Sequence, residues 1–167
     1  KYITFGWAPE RTFERSVYFN GTSNYVDMED ALDLNPTAFT ISAWIRRDVN
    51  SLNKSILSKR DAAYTEGYDF KINAIGQFEV SWKTTSGAIQ GGNAYLYIDG
   101  ILDKQAAKSA PNNTTQSFYI GAASKLTPQA FFNGNIDEVR VWNTALTVAQ
   151  LRYIMNQEIE NNAGFVG

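Results

Sequence analysis

The sequence predicts an all-β fold, a two-sheet antiparallel β-sandwich of the jelly-roll kind with one C-terminal helix. Three observations predict it: roughly nine or ten short runs of alternating or apolar residues, turn signals between these runs, and one helical pattern late in the chain. The 167 residues are a one-domain length, and 44% hydrophobic against 19% charged residues is a globular composition.

Strand patterns begin with residues 15–19, which alternate and end at the turn signal Asn20-Gly21. Residues 39–46 form the clearest strand of the first half, with Phe39, Ile41, Ala43 and Ile45 on one face and Trp44 and Arg46 on the other. Another strand is expected at 54–59.

A hairpin is predicted from residues 68–72 and 78–82, in which apolar and polar residues alternate on both sides of a turn. Asp69 and Lys71 are expected on its solvated face, and Trp82 on its dry face with the core. Each strand of this pair therefore presents one wet and one dry side.

The second half of the chain adds further strands. Residues 94–98 lead into Asp99-Gly100, a strong turn signal, and strands are also expected at 117–120 and 136–142.

A helix is expected after Thr147, which can cap its N-terminus with Gln150 as the capping-box partner. Apolar residues at helical spacing would form one stripe, which we expect to cover one end of the sandwich. The stripe consists of Val148, Leu151, Ile154, Met155 and Ile159.

Composition excludes several classes of function. The net charge is −2 with scattered Lys and Arg, so nucleic acid is not expected as a partner, and the apolar runs are too short to span a membrane. Histidine and cysteine are both absent. This removes disulfides, thiolate chemistry, the usual zinc ligands and Ser-His-Asp triads.

The chain begins with Lys1 and shows no apolar signal-peptide core, which indicates a processed chain or a piece of a larger protein. Residues 1–14 pattern poorly and are expected to be a connector or N-terminal extension. The folded domain is predicted at 15–160, and 161–167 is expected to be a C-terminal tail.

Four segments carry specific motifs: an aromatic strand and Asn-Gly turn before Tyr-Val in 16–26, an apolar strand ending in Ala-Trp-Ile in 39–45, the Tyr-Leu-Tyr-Ile-Asp-Gly strand within 94–100, and the closing motif Phe-Asn-Gly-Asn-Ile-Asp-Glu-Val-Arg-Val-Trp-Asn in 132–143. In these motifs the chain resembles laminin G-like domains of the concanavalin A-like jelly-roll kind. The closing motif is the most specific. Residues 155–159 resemble the same segment of the laminin G-like domains found in large surface proteins of gliding, Bacteroidetes-type bacteria.

The chain departs from this family pattern at one place. The family has a strand with a Trp-His-Val-Ala core before the Tyr-Ile-Asp-Gly strand, whereas here residues 82–92 run directly into Asn93. A sandwich without a central strand would leave backbone groups unpaired, which is costly. We therefore expect that residues are missing near Gln90 and Gly91.

The resemblance implies a structural calcium ion between the first and last strands. Asp137 and Asn20 are the candidate metal ligands, because calcium takes oxygen ligands from carboxylates, amides and backbone carbonyls. The alternative for Asp137 is hydrogen bonding at a turn or strand end.

A second acidic group consists of Asp27, Glu29, Asp30 and Asp33. It lacks the glycine and final glutamate of an EF-hand loop, so a solvated acidic turn or the start of a short helix is the preferred interpretation.

No catalytic residue is assigned, and the domain is expected not to be an enzyme. Glycosidases need two carboxylates on one cleft, and Glu79 stands alone in its strand. Trp44, Trp82, Tyr95 and Tyr97 could stack on sugar rings, but cross-strand aromatic pairing also explains them.

These observations, with the resemblance, favour a non-catalytic extracellular or cell-surface module for binding or adhesion. Its ligand would be a glycan or a surface protein, its neighbours other domains of a larger chain, and calcium would stiffen its loops. Two alternatives are a glycoside hydrolase or lyase on the same fold and a structural spacer of a large multidomain adhesin, because one fold supports all three uses.

Overall fold

The computed structural model describes residues 2–6, 16–34, 38–48, 51–83, 92–109, 111–123 and 130–157. In these residues the chain forms β1 Tyr2–Gly6, β2 Val17–Asn20, β3 Val26–Asp27, β4 Thr40–Arg47, β5 Lys54–Arg60, β6 Gly67–Ile72, β7 Phe78–Trp82, β8 Asn93–Ile98, β9 Ile101–Ala107, β10 Tyr119–Ile120, β11 Asn133–Trp142 and helix α1 Val148–Ile154.

The strands form two sheets, which confirms the predicted sandwich. The six-stranded sheet has the order β2-β11-β4-β1-β8-β9, and the five-stranded sheet has the order β3-β10-β5-β6-β7. Described pairs are antiparallel except those of β1, which runs parallel to both β4 and β8.

One hydrophobic core lies between the sheets. Ile41 and Ile45 of β4 meet Phe70 and Ile72 of β6, and all four are at most 1% exposed. Burial of one such side chain contributes about 1.5–3 kcal/mol, so the apolar positions of the alternating strands each stabilise the sandwich. Trp82 lies in this core as expected.

The start of the chain differs from the prediction, because it contains the strand β1. Residues 2–6, part of the expected connector, form a central strand between β4 and β8. Tyr, Ile, Thr and Phe all favour strands, and without β1 the facing edges of β4 and β8 would lack backbone partners. The residues suspected to be missing near Gln90 and Gly91 fall outside the described part of the chain.

The edge strand β9 was not predicted, and all seven of its residues are exposed. Its sequence lacks an alternating pattern, so periodicity could not reveal it. The tight turn before it explains the strand: Asp99 and Gly100 have φ of 51° and 72°, as a type I′ hairpin turn requires. This turn directs the chain back along β8.

The helix α1 has the predicted capping box between Thr147 and Gln150. It packs on the outer face of the six-stranded sheet, so the prediction that it covers one end of the sandwich was wrong. Leu151 is buried with Tyr97 and Leu146 in a second apolar cluster. No helix among the described residues is long and apolar enough to cross a membrane.

Candidate functional site

Asn20, a predicted calcium ligand, organises the turn that follows β2. Its Oδ1 atom accepts hydrogen bonds from the backbone N–H groups of Thr22, Ser23 and Asn24 at 2.9–3.1 Å. Its Nδ2 atom donates to Ser23 Oγ at 3.0 Å. The amide group of Asn20 is therefore already engaged within its own turn.

The structure does not bring Asn20 and Asp137 together. Asn20 pairs with Asn133, and Asp137 lies four residues further along β11. At about 3.3 Å per strand residue this separation is roughly 13 Å, whereas calcium ligands lie about 2.3–2.6 Å from the ion. The two residues therefore do not fit one calcium site. Asp137 Oδ1 accepts the backbone N–H of Glu138 at 2.9 Å.

The neighbouring Glu138 lies at a bulge in β11, where the register against β4 shifts and φ is 52°. Its carboxylate forms an ion pair with Arg140. The Arg140 guanidinium also donates to the carbonyl oxygen of Ile154 at 2.7 Å, so this pair helps to hold the end of α1 against the sheet.

The acidic group at 27–33 differs from a simple solvated turn. Asp30 and Asp33 are about half exposed, but their carboxylates lie 2.7 and 2.6 Å from Lys59 Nζ, and the Lys59 side chain is 1% exposed. The two aspartates thus neutralise a buried ammonium group. Among the described residues there is no cluster of three or more Asp, Glu, His or Cys side chains that could hold a metal ion.

The aromatic residues considered for sugar stacking are largely inaccessible. Trp44, Trp82 and Tyr97 are 5–6% exposed, and Tyr95 is half-buried and packs with Tyr97 at a ring-centroid distance of 6.5 Å. Trp44 Nε1 donates to the carbonyl oxygen of Met155 at 2.9 Å, below α1. These rings therefore serve the core and the helix contact.

The outer side of β5, β6 and β7 carries a connected set of polar side chains instead. We call this set the polar face, and it consists of Arg60, Tyr64, Asp69, Lys71, Glu79 and Ser81. The outward positions alternate with core residues along β6 and β7, which is how the chain places polar groups on one side only.

Asp69 lies at the centre of the polar face and is 3% exposed, so the prediction of a solvated position was wrong. Ser55 Oγ donates to its Oδ1 at 2.8 Å, and Arg60 Nε donates to its Oδ2 at 3.1 Å. Burial raises the pKa of the Asp69 carboxyl above its ordinary value, although the Ser55 hydrogen bond and the Arg60 charge oppose this shift.

Tyr64 extends the polar face from the loop between β5 and β6. Its hydroxyl donates to Ser81 Oγ at 2.6 Å, and the Arg60 guanidinium and Lys83 ammonium lie 5.0 and 4.9 Å from its ring centroid. Burial raises the pKa of the Tyr64 hydroxyl to about 12, so the group remains a neutral donor at physiological pH. Cations near an aromatic ring are attracted by its negative face.

The loop that carries Tyr64 is itself held in place. Asp61 accepts hydrogen bonds from Thr65 N at 2.7 Å, from Thr65 Oγ1 at 2.7 Å and from Glu66 N at 3.0 Å. Because a fixed loop loses little freedom on binding, this arrangement pre-organises the groups around Tyr64.

The remaining pair, Lys71 and Glu79, lies opposite each other on β6 and β7 and is joined at 3.1 Å. These side chains are 29% and 40% exposed, so they offer a charged donor and a charged acceptor to solvent. Sequence reasoning assigned neither to a site, and it missed Arg60, Tyr64 and Ser81. The sequence signal that could have revealed the polar face is the alternation of polar residues along three consecutive strands, β5, β6 and β7.

Comparison with known proteins agrees with this fold. The family model described as the concanavalin A-like lectin/glucanases superfamily, Laminin_G_3, matches residues 20–91 and 82–152. No curated protein matches the chain significantly in sequence.

Among solved structures, NanB with optactamide is similar, with a TM-score of 0.54 and 13% identity. The match covers 83% of this chain and 27% of the NanB chain, so it shows a shared fold over about a quarter of that longer protein. Because the family model spans most of the 167 residues, the chain belongs to the concanavalin A-like lectin/glucanases superfamily as a laminin G-like domain.

Proposed function

We propose that this domain is a non-catalytic binding module of a secreted or cell-surface protein and that it recognises a glycan through the polar face. The observation that carries the proposal is the partly exposed Lys71–Glu79 pair beside the fixed groups of Arg60, Tyr64 and Ser81. Superfamily membership supports the proposal, because its name joins lectins with glucanases.

The chemistry of the polar face suits sugar hydroxyl groups, which both donate and accept hydrogen bonds. Lys71 supplies N–H donors, Glu79 supplies carboxylate acceptors, and a hydrogen bond to a charged group is stronger than one between neutral groups. The ion pairs and hydrogen bonds already hold these side chains in place, so binding would immobilise few additional groups.

The test is calorimetric titration of the full chain with glycans selected on an array. Replacing both partly exposed groups, Lys71→Ala with Glu79→Ala, should weaken binding by about a hundredfold or more, since each charged hydrogen bond is worth roughly 1.5–3 kcal/mol and about 1.4 kcal/mol is tenfold. The control is Asp103→Ala, which removes an exposed carboxylate on β9 of the other sheet.

Unchanged affinity in the Lys71/Glu79 double variant would contradict the polar face as the glycan site. A folded chain that binds no glycan on the array would contradict the proposal itself and favour the spacer alternative.

A second candidate function is glycan hydrolysis, and one observation favours it. Asp69, with its raised pKa, and Glu79 point to the same side of neighbouring strands, as an acid and a base in one cleft would. The Asp69 oxygens, however, accept hydrogen bonds from Ser55 and Arg60 beneath the surface. Release of reducing sugar that is lost in Glu79→Gln would establish hydrolysis in place of simple binding.

Binding of a structural calcium ion is a separate proposal. Its ligands would be Asp137 and residues other than Asn20, because Asn20 lies too far from Asp137. Thermal unfolding in EDTA and in millimolar calcium tests it, because an ion that binds only the folded state raises the midpoint. A rise that disappears in Asp137→Ala would support a calcium ligand there, and no rise would remove calcium from the proposal.

A further inference from the structure

An apolar groove opens on the side of the sandwich where both sheets end in an edge strand, β7 in one sheet and β9 in the other. The groove has a volume of about 180 Å³. Val80 and Trp82 of β7 line one wall, and Leu96 of β8 and Ala106 of β9 line the other. The partly buried apolar side chains of Phe78, Val80 and Ala94 are thus reachable from solvent along this edge, whereas Trp82 and Leu96 are 5% and 7% exposed.

The rim of the groove is positively charged, with Lys104 and Lys108 among its lining residues. Lys108 Nζ lies 5.0 Å from the Trp82 ring centroid and 3.4 Å from the Trp82 carbonyl oxygen. Within the described part of the chain, neither lysine forms an ion pair with a carboxylate. Glu79 also lines the groove but is paired with Lys71 at 3.1 Å.

We propose that this groove binds a small amphipathic carboxylate, with the apolar body between Val80 and Ala106 and the carboxylate at Lys108, while Lys104 adds positive charge further along the rim. The size supports one ring or a comparable short alkyl chain, because an apolar protein cavity of about 150 Å³ holds benzene. The charges complement an anion, and a few placed polar groups on an apolar pocket commonly fix the orientation of a ligand.

The site differs from the proposed glycan site, although Glu79 borders both. The groove lies at the edge formed by β7 and β9, whereas the other groups of the polar face lie on the outer side of one sheet. Lysine N–H groups provide charge-assisted hydrogen bonds to a carboxylate, and their attraction is greater beside apolar walls than in open water. A neutral molecule of the same shape would obtain the apolar contact alone.

The experiment is a titration of the full chain with 3-phenylpropionate, followed by backbone amide chemical shifts, with 3-phenylpropanamide as the neutral match. We expect a Kd on the order of 1 mM for the carboxylate, as is usual for a ligand of this size, and shifts confined to β7, β8 and β9. The amide should bind several-fold more weakly.

Substitutions test the apolar lining of the groove and its positive charges separately. Ala106→Phe fills the groove and should weaken binding of the carboxylate about tenfold, the effect of losing one good apolar contact. Ala107→Phe, on the opposite face of β9, should leave binding within twofold. Lys104→Gln with Lys108→Gln should reduce the affinity for the carboxylate to that for the amide.

Absence of shifts in the groove strands at saturating 3-phenylpropionate would overturn the proposal. Equal binding of acid and amide would overturn the role of the lysines, and equal binding by the Ala106 and Ala107 variants would overturn the location. The glycan titration is unaffected by any of these results, so the two proposals fail separately.

Discussion

The outer faces of the two sheets have opposite chemistry although the same sandwich carries both. On the six-stranded sheet, Tyr97 and Trp44 point outward and are buried beside helix α1. On the five-stranded sheet, Asp69, Lys71 and Glu79 occupy the outward positions. One face is covered by the chain itself, and the other offers paired polar groups.

The difference shows that strand alternation assigns residues to faces without deciding what happens to each face. An aromatic outer face exposes apolar area that must be covered, and the apolar stripe of α1 supplies the cover. A polar outer face needs no cover, provided that its buried charges are paired. The second kind of face therefore keeps its polar groups at the surface without a covering helix, which is why our proposed function uses it.

The largest expected effect comes from unpairing the charge within the polar face. Arg60→Met leaves the Asp69 carboxylate buried without its cation and should lower the free energy of unfolding by about 3–5 kcal/mol at neutral pH. Urea denaturation measures this loss. Adding Asp69→Asn to the Arg60 variant should recover most of it, and an equal loss in the double variant would contradict a charge-pair origin.

The same variant has a defined pH dependence. Because the folded-state pKa of Asp69 is raised above the ordinary value of 3.8, the folded chain holds this proton more tightly than the unfolded chain does. Stability from this group is therefore fully present below about 3.8 and is lost as pH rises through the folded pKa. Without Arg60 the folded pKa rises further, so the deficit of Arg60→Met should shrink on acidification.

The next effect tests the covered face. Leu151 is 1% exposed beneath α1, and Leu151→Ala should cost about 2–5 kcal/mol through lost burial and the cavity left behind. Tyr153→Ala is the control, because this helix residue is 70% exposed and its loss should change stability by about 0.5 kcal/mol or less. Similar losses in both variants would mean that α1 does not seal the face through Leu151.

The smallest expected effect concerns the hydrogen bond from Ser55 to Asp69 in the polar face. Ser55→Ala removes the hydrogen bond to Asp69 Oδ1 and should cost about 1.5–3 kcal/mol at neutral pH, as for a hydrogen bond to a charged group. The pKa of Asp69 should also increase, since the Ser55 hydrogen bond lowers it. Carbon-detected NMR titration of the Asp69 carboxyl measures this shift. An unchanged pKa would show that the Ser55 hydrogen bond does not stabilise the Asp69 carboxylate.

Prediction from sequence succeeded where the pattern is local. The alternation in β4, β6 and β7, the Asp99-Gly100 turn and the capping box of Thr147 each depend on a few adjacent residues, and the structure contains all of them. The family resemblance likewise depended on short motifs. These features fixed the fold class and the core position of Trp82.

Other features depend on contacts between residues far apart in the chain. Asp69 is polar and alternates with core residues, so its pattern cannot distinguish a solvated carboxylate from one enclosed by Ser55 and Arg60. The sequence likewise gives no sign that Lys59 is buried, because Asp30 and Asp33, which surround its ammonium group, lie 29 and 26 residues earlier in the chain. Sequence spacing carries no measure of such enclosure.

The sequence alone determined a β-sandwich with one capped helix, because side-chain periodicity and turn chemistry act over a few residues. Only the tertiary structure decided that residues 2–6 fill the sheet centre, that α1 covers one outer face, and that the other face stays polar. Those outcomes follow because buried backbone and charged groups need partners, and which distant partner is available is settled only when the whole chain packs.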